Sequence, residues 1–202
     1  MIIMKISPTT NLNFKAKFIS TAQIKKFDKE AKQFLPHRIS FVELEPENSV
    51  DVAAVDDIFN SWGKVDMLSK IKTSFETMHF YPEELSNSKF YGVTVQASDF
   101  NELNPESIMG IAEISPMPHK EIYLDFLQVK PDLKADVLER QYKNIGTAIL
   151  NSLKEIFDTI RLYSLKNSVE FYEINGFIPM TKGNFLEHVW EKVLRDDSRH
   201  IL

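Results

Sequence analysis

The sequence predicts an α+β fold, with a central mixed, mostly antiparallel sheet, helices on both faces and an N-terminal strand-helix extension in front. Three observations predict it. Three apolar, strand-like runs succeed one another in mid-chain, "KFYGVTVQ", "SIMGIAEIS" and "EIYLDFLQV". Two helical patterns stand before them, and a strand, helix, strand, helix, strand order stands after them. A chain of 202 residues that is 43% hydrophobic and 11% aromatic has apolar material for one substantial core. One main domain over residues 38–202, preceded by an extension over 1–37, is therefore expected.

In chain order, "NLNFKAKF" alternates Leu12, Phe14, Ala16 and Phe18, as a half-buried strand does. "STAQIKKFDKEAKQFL" then repeats Ile24, Phe27, Ala31, Phe34 and Leu35 at helical spacing up to Pro36, which predicts a helix over 20–35. "RISFVELEP" reads as a strand, and residues 52–62 and 65–79 read as helices before the three central strands. "IYLDFLQV" is apolar on both faces with Asp125 its only charge, the pattern of a strand covered on each side. Ile145, Ile149, Leu153 and Phe157 supply the i, i+4 stripe of a helix over 144–158. "TIRLYSL", a helix over 167–175, "GFIPM" and "HVWEKVL" complete the order, with Asn167 as N-cap, Glu170 as its capping-box partner and Gly176 as the stop.

Composition removes several function classes. Without cysteine there is no disulfide, thiolate metal site or cysteine nucleophile. The five histidines show no metal-ligand spacing, so no metal is expected. No run approaches the roughly 20 apolar residues of a membrane span, and the first residues lack the apolar core of a secretory signal. A cytoplasmic protein without membrane contact is expected. The net charge of −5 is uneven: residues 1–38 carry +6 and the remainder −11. An acidic body repels polyanions, so no nucleic acid partner is expected unless the basic arm alone engages one.

The chemistry concentrates in Ile122–Leu153. A helix beginning near Asn144 presents unpaired N–H groups and the positive end of its dipole to the preceding loop, a ready anion site. Gly146 removes a side chain that would obstruct a phosphate there, and Asn144 tolerates left-handed or capping geometry. The runs required for a Walker-type or dinucleotide-binding loop are absent.

The run "QVKP" followed by Gln141, Asn144 and Gly146 resembles the pyrophosphate loop of the GNAT acyltransferase superfamily. Asn144 departs from that loop's first glycine, and "DLKADVLER" lengthens the loop. "NSVEFYEINGF" resembles a second signature of the same family, shortened by one residue and matched at Phe171, Tyr172, Glu173, Gly176 and Phe177. The resemblance covers roughly residues 38–194. It implies an N-acetyltransferase that passes the acetyl group of acetyl-CoA to a primary amine by direct attack, on a small-molecule or peptide acceptor. Leu127, Gln128 and Val129 would hold the pantetheine arm. Gln141, Tyr142, Lys143, Asn144, Ile145, Gly146 and Thr147 would hold the pyrophosphate, with Asn167 beside the arm.

By the same resemblance Tyr172 occupies the general-acid position; the alternative is a core aromatic with a satisfied hydroxyl. Asp125, expected on the face of Leu127 and Val129, and Glu113 on the preceding strand are equal candidates for the base; the alternative for Asp125 is a buried, paired structural carboxylate. Asp56, Asp57, Glu76, Glu83 and Glu84 would form an acidic rim favouring a cationic amine, or else a solvated helix face. Trp62, Phe80, Tyr81 and Trp190 would shape a pocket or fill the core. The alternative function is a GNAT-like binding or regulatory module without turnover. The acceptor and the oligomeric state are not encoded in any motif.

Overall fold

The computed structural model describes residues 16–63, 66–81, 87–97, 103–131, 141–180 and 185–189. The chain begins with a β-hairpin, strands β1 (Lys17–Asp28) and β2 (Gln33–Leu44), paired antiparallel from Lys17↔Glu43 to Asp28↔Gln33. This corrects the helix expected over 20–35. Its turn is closed by Asp28, whose Oδ1 accepts from the Glu30 and Ala31 amides at 2.9 and 2.8 Å, and Lys32 takes a left-handed φ of 52°. In β1 it is Ala22 and Ile24 that are buried, two residues apart, between exposed Thr21, Gln23 and Lys25. Phe27 and Phe34, which would share one face of the expected helix, are instead cross-strand partners with ring centroids 5.3 Å apart. Pro36 pairs only with β1, because the other neighbour of β2 begins at Ser40, so its missing N–H costs no ladder bond on that side. β2 runs unbroken through residue 37, and the described part of residues 1–37 thus belongs to the same sheet as the later strands.

Two helices come next, as expected, α1 (Ser49–Ser61) and α2 (Asp66–Phe80). Asn48 caps α1 by accepting from the Val50 amide at 2.9 Å. Then come β3 (Lys89–Thr94), β4 (Ile108–Met117), β5 (Glu121–Val129), the short β6 (Tyr142–Lys143), α3 (Ile145–Ile156), β7 (Thr159–Tyr163), α4 (Val169–Ile174), β8 (Ile178–Pro179) and β9 (Phe185–Val189). Among the described residues one sheet of nine strands forms in the order β6-β1-β2-β3-β4-β5-β7-β9-β8, antiparallel except for β5 with β7. The α+β class and the mixed, mostly antiparallel sheet are as the sequence predicts.

The two faces of the sheet carry separate cores. α1 and α2 cover one with Val55, Ile58, Trp62, Leu68, Ile71 and Phe75, packed on Val42, Phe90 and Ile111. α3 covers the other with Ile149, Leu150 and Leu153, each fully buried and each contributing roughly 1.5–3 kcal/mol of transfer free energy. Gly110 in β4 lets α3 lie close: a Cβ there would stand 2.8 Å from Ile149 Cδ1.

Candidate functional site

The site arises where two strands part. β5 stays paired with β4 as far as Gly110↔Val129, yet its pairing with β7 stops at Leu124↔Leu162. From Asp125 to Val129 the β7-side edge of β5 therefore has no strand partner among the described residues. The register between β4 and β5 shifts at the same place, Glu113 facing Phe126 while Ile114 faces Leu124, so Asp125 is an inserted residue.

A cleft of about 820 Å³ opens along that edge. Leu127, Gln128 and Val129 line one wall, and Gln141 through Thr147 line the other, so ten of the eleven residues expected to hold a cofactor meet here. The eleventh, Asn167, does not: it is exposed within a 3-10 turn, Lys166–Ser168, and the residue before α4 is Ser168, without any side-chain cap hydrogen bond. The expected capping box is not formed. Gln128 Nε2 donates to the Val129 carbonyl at 2.7 Å, so a side chain engages an acceptor of the open edge.

The N-terminus of α3 closes the inner end. Asn144 stands at φ 66°, ψ 26°, left-handed, and makes no side-chain cap. The Ala148 amide bonds the Asn144 carbonyl at 2.9 Å, which leaves the amides of Ile145, Gly146 and Thr147 without intrahelical acceptors. No acidic residue lies in the first turn to compete for them.

Gly146 has a different cause from the one its sequence position suggests. A Cβ built there would lie 2.9 Å from Phe171 Cζ and 3.6 Å from Val129 Cγ1, so the glycine admits the Phe171 ring between α3 and α4. The vacant space at this residue is filled by an aromatic ring, and an anion would be met by the backbone amides alone.

α4 contributes Phe171 and Ile174 to the cleft, and its C-cap Asn175 joins them, none of the three among the binding residues expected from sequence; Met109, Lys130 and Pro131 complete the lining. Residues 171, 174 and 175 lie on one face of a helix, a spacing that could have identified them. Tyr172 is not in the lining. Its half-buried ring packs edge-on between Phe171 and Phe177, centroids 5.0 and 5.6 Å away, and burial pushes its phenol up to about 12.

The two carboxylates occupy the α1/α2 face. Asp125 Oδ2 accepts from Ser115 Oγ at 2.7 Å, and Ser115 alternates with Glu113 on either side of Ile114, which packs into the α3 core. Leu127 packs against the α3 core as well. The inserted residue breaks the alternation, and Asp125 lies opposite to Leu127 rather than beside it as expected. Burial raises the Asp125 pKa, partly offset by the Ser115 hydrogen bond. Glu113, 5% exposed, is raised to about 7, by burial first and then by the Asp125 charge, against hydrogen bonds from Ser74 and Ser88; its Oε2 has no partner among the described residues.

The proposed acidic rim is partly neutralised, because Lys72 bridges Asp56 at 2.7 Å and Glu76 on the next turn. Glu83, Glu84 and Trp190 lie outside the described residues. Trp62 is 2% exposed and belongs to the α1/α2 core, whereas Phe80 and Tyr81 are exposed.

Neither a family model nor a curated protein matches the sequence. Solved structures do resemble the chain. A GNAT-family protein from Desulfovibrio desulfuricans is 13% identical over 75% of this chain and 98% of its own, with a TM-score of 0.47. The spermidine/spermine N-acetyltransferase of Vibrio cholerae is 13% identical over 79% and 98%, TM-score 0.44. A GNAT-family acetyltransferase from Staphylococcus aureus is 15% identical over 75% and 98%, TM-score 0.41. No helix among the described residues is long and apolar enough to cross a membrane.

Proposed function

We propose that the protein is an N-acetyltransferase that takes the acetyl group of acetyl-CoA and passes it to a primary amine by direct attack. The observation that supports this best is the unpaired edge of β5 at Asp125–Val129, running beside a cleft that ends at the uncapped N-terminus of α3. An extended arm containing amides pairs with a strand edge, and a pyrophosphate suits the three first-turn amides that lack intrahelical acceptors. Pantetheine joined to a pyrophosphate has both features in that order. Leu127, Gln128 and Val129 would hold the arm, and residues 141–147 the pyrophosphate.

In this reading the thioester carbonyl lies where β5 and β7 part. The acceptor nitrogen attacks the carbonyl carbon, the carbon–sulfur bond breaks, and the thiolate leaves with a proton. Asp125, half-buried, is the more accessible of the two carboxylates to take the proton of the amine, with Glu113 behind it under α2. The phenol of Tyr172, held protonated by burial, is the proton donor proposed for sulfur. A small-molecule or peptide amine would enter from the α1/α2 face, and a cytoplasmic setting supplies acetyl-CoA.

Calorimetric titration with acetyl-CoA tests the cofactor, with Thr147→Glu, which puts a carboxylate at the first turn of α3 without meeting the Phe171 ring, as the control expected to abolish binding. Thiol release in the presence of an amine panel tests turnover. The place of Tyr172 behind Phe171 favours one second reading, a module that binds the cofactor without transferring its acetyl group. Tyr172→Phe separates the two: a loss of about 100-fold in kcat supports the donor role, whereas absence of turnover in the wild type with intact binding supports the module.

A further inference from the structure

The N-terminal hairpin reaches past the rest of the sheet towards the cleft. β2 is paired with β3 only over Ser40–Leu44, while its pairing with β1 continues to Gln33, so the hairpin tip overhangs β3 by several residues. On this overhang β1 picks up β6, through Lys25↔Lys143 and Lys26↔Tyr142, and the Phe27 amide donates to the Gln141 carbonyl at 2.9 Å. The cleft wall at residues 141–143 is thereby built onto the hairpin.

This pairing sets two ammonium side chains directly opposite each other on one face of adjoining strands. Lys25 is exposed and Lys143 lines the cleft, and neither has a carboxylate partner among the described residues. The Lys143 Nζ lies 4.0 Å from the centroid of Phe34, a contact that positions the charge without neutralising it. Lys130, the other lysine of the cleft, is already paired with Glu106 at 3.2 Å. Cross-strand like charges about 5 Å apart at Cβ disfavour the pairing that creates them, unless an anion lies between them.

We propose that Lys25 of the hairpin and Lys143 of β6 form a phosphate-monoester subsite that binds the ribose 3′-phosphate of coenzyme A. The proposal rests on the acetyl-CoA reading. The pyrophosphate takes the amides of α3, and the next anion along the ligand is this monoester, a dianion that two ammonium groups match in charge.

The test is calorimetric titration with acetyl-CoA, 3′-dephospho-acetyl-CoA, adenosine 3′,5′-bisphosphate and 5′-AMP, on the full chain and on Lys25→Ala, Lys25→Gln and the Lys25→Ala/Lys143→Ala double variant. Thermal melting confirms that each variant is folded, and Lys25 is exposed enough that its replacement leaves the strand intact. The wild type is expected to prefer acetyl-CoA over the dephospho form by about tenfold, and the double variant to show no preference. Equal binding of both forms by the wild type, or a preference that survives in the double variant, overturns the subsite and leaves the cofactor reading standing. Lysine-dependent binding of adenosine 3′,5′-bisphosphate without binding of acetyl-CoA overturns the cofactor reading and keeps the subsite. No binding of any of the four overturns both.

Discussion

The two faces of the sheet handle polar groups in opposite ways. On the α3 face no buried side-chain atom of the described residues lacks a hydrogen-bond partner, and the groups along the cleft are backbone amides and a strand edge, beside a left-handed Asn144. On the α1/α2 face all three buried, unpartnered side-chain atoms of the described residues are found: Asp51 Oδ1, Trp62 Nε1 and Glu113 Oε2. A face that recognises a ligand through main chain needs no titratable group. A face that handles protons has to bury one, at a cost in stability.

The sharpest way to break this contrast is at Gly146, where the α3 face depends on close packing. Gly146→Val is expected to cost about 1–3 kcal/mol in urea unfolding, because the Phe171 ring leaves no room for a Cβ. Adding Phe171→Ala should recover part of that loss, less than additively. An additive double variant would mean that the glycine serves something other than the ring.

The opposite face is tested by pH. Glu113 holds its proton more tightly when folded than when unfolded, so its contribution is intact below its unfolded value near 4.5 and is lost as pH rises through about 7. Glu113→Gln should therefore gain on the wild type between pH 5 and pH 8, by roughly 1–2 kcal/mol in urea unfolding. Asp51, also raised to about 7 by burial, against a hydrogen bond from the Glu45 amide and with a smaller push from the Glu45 charge, predicts the same direction for Asp51→Asn. A constant difference across that range would remove Glu113 from the groups that titrate near neutrality.

Smaller effects are expected at Asn144. Replacement by alanine at φ 66° should cost about 1 kcal/mol and replacement by glycine almost nothing. If Asn144→Ala were as stable as the wild type, the left-handed entrance to α3 would not be a constraint.

The same contrast explains how much of the molecule is legible in the sequence. The cleft walls are legible because each is a continuous stretch, 127–129 and 141–147, that the family resemblance marks out as a run of sequence. The α4 wall is not: adjacent Phe171 and Tyr172 look alike in sequence, and only packing against Gly146 turns the first to the cleft and the second behind it. Strict alternation puts Asp125 on the wrong face because it holds only without an inserted residue, and nothing local in "IYLDFLQV" announces one. The hairpin escapes a sequence reading because Ile24, Phe27, Ala31 and Phe34 satisfy a helical spacing by coincidence, while the deciding partners of Phe27 and Lys25 lie across a turn and in β6. Helices α1, α2 and α3 are readable because their apolar stripes and stops agree with their tertiary setting.

The pairing of β1 with β6 also fixes an order of assembly. During synthesis the outer edge of β1 emerges roughly 120 residues before Tyr142 and Lys143 are made. Until then that edge is an open template for any other strand, and the exposed lysines of β1, Lys17 and Lys25 with Lys26 beside them, are the residue type that discourages such pairing. The charges that meet an anion in the finished molecule would thus also guard the nascent one against its neighbours on the ribosome.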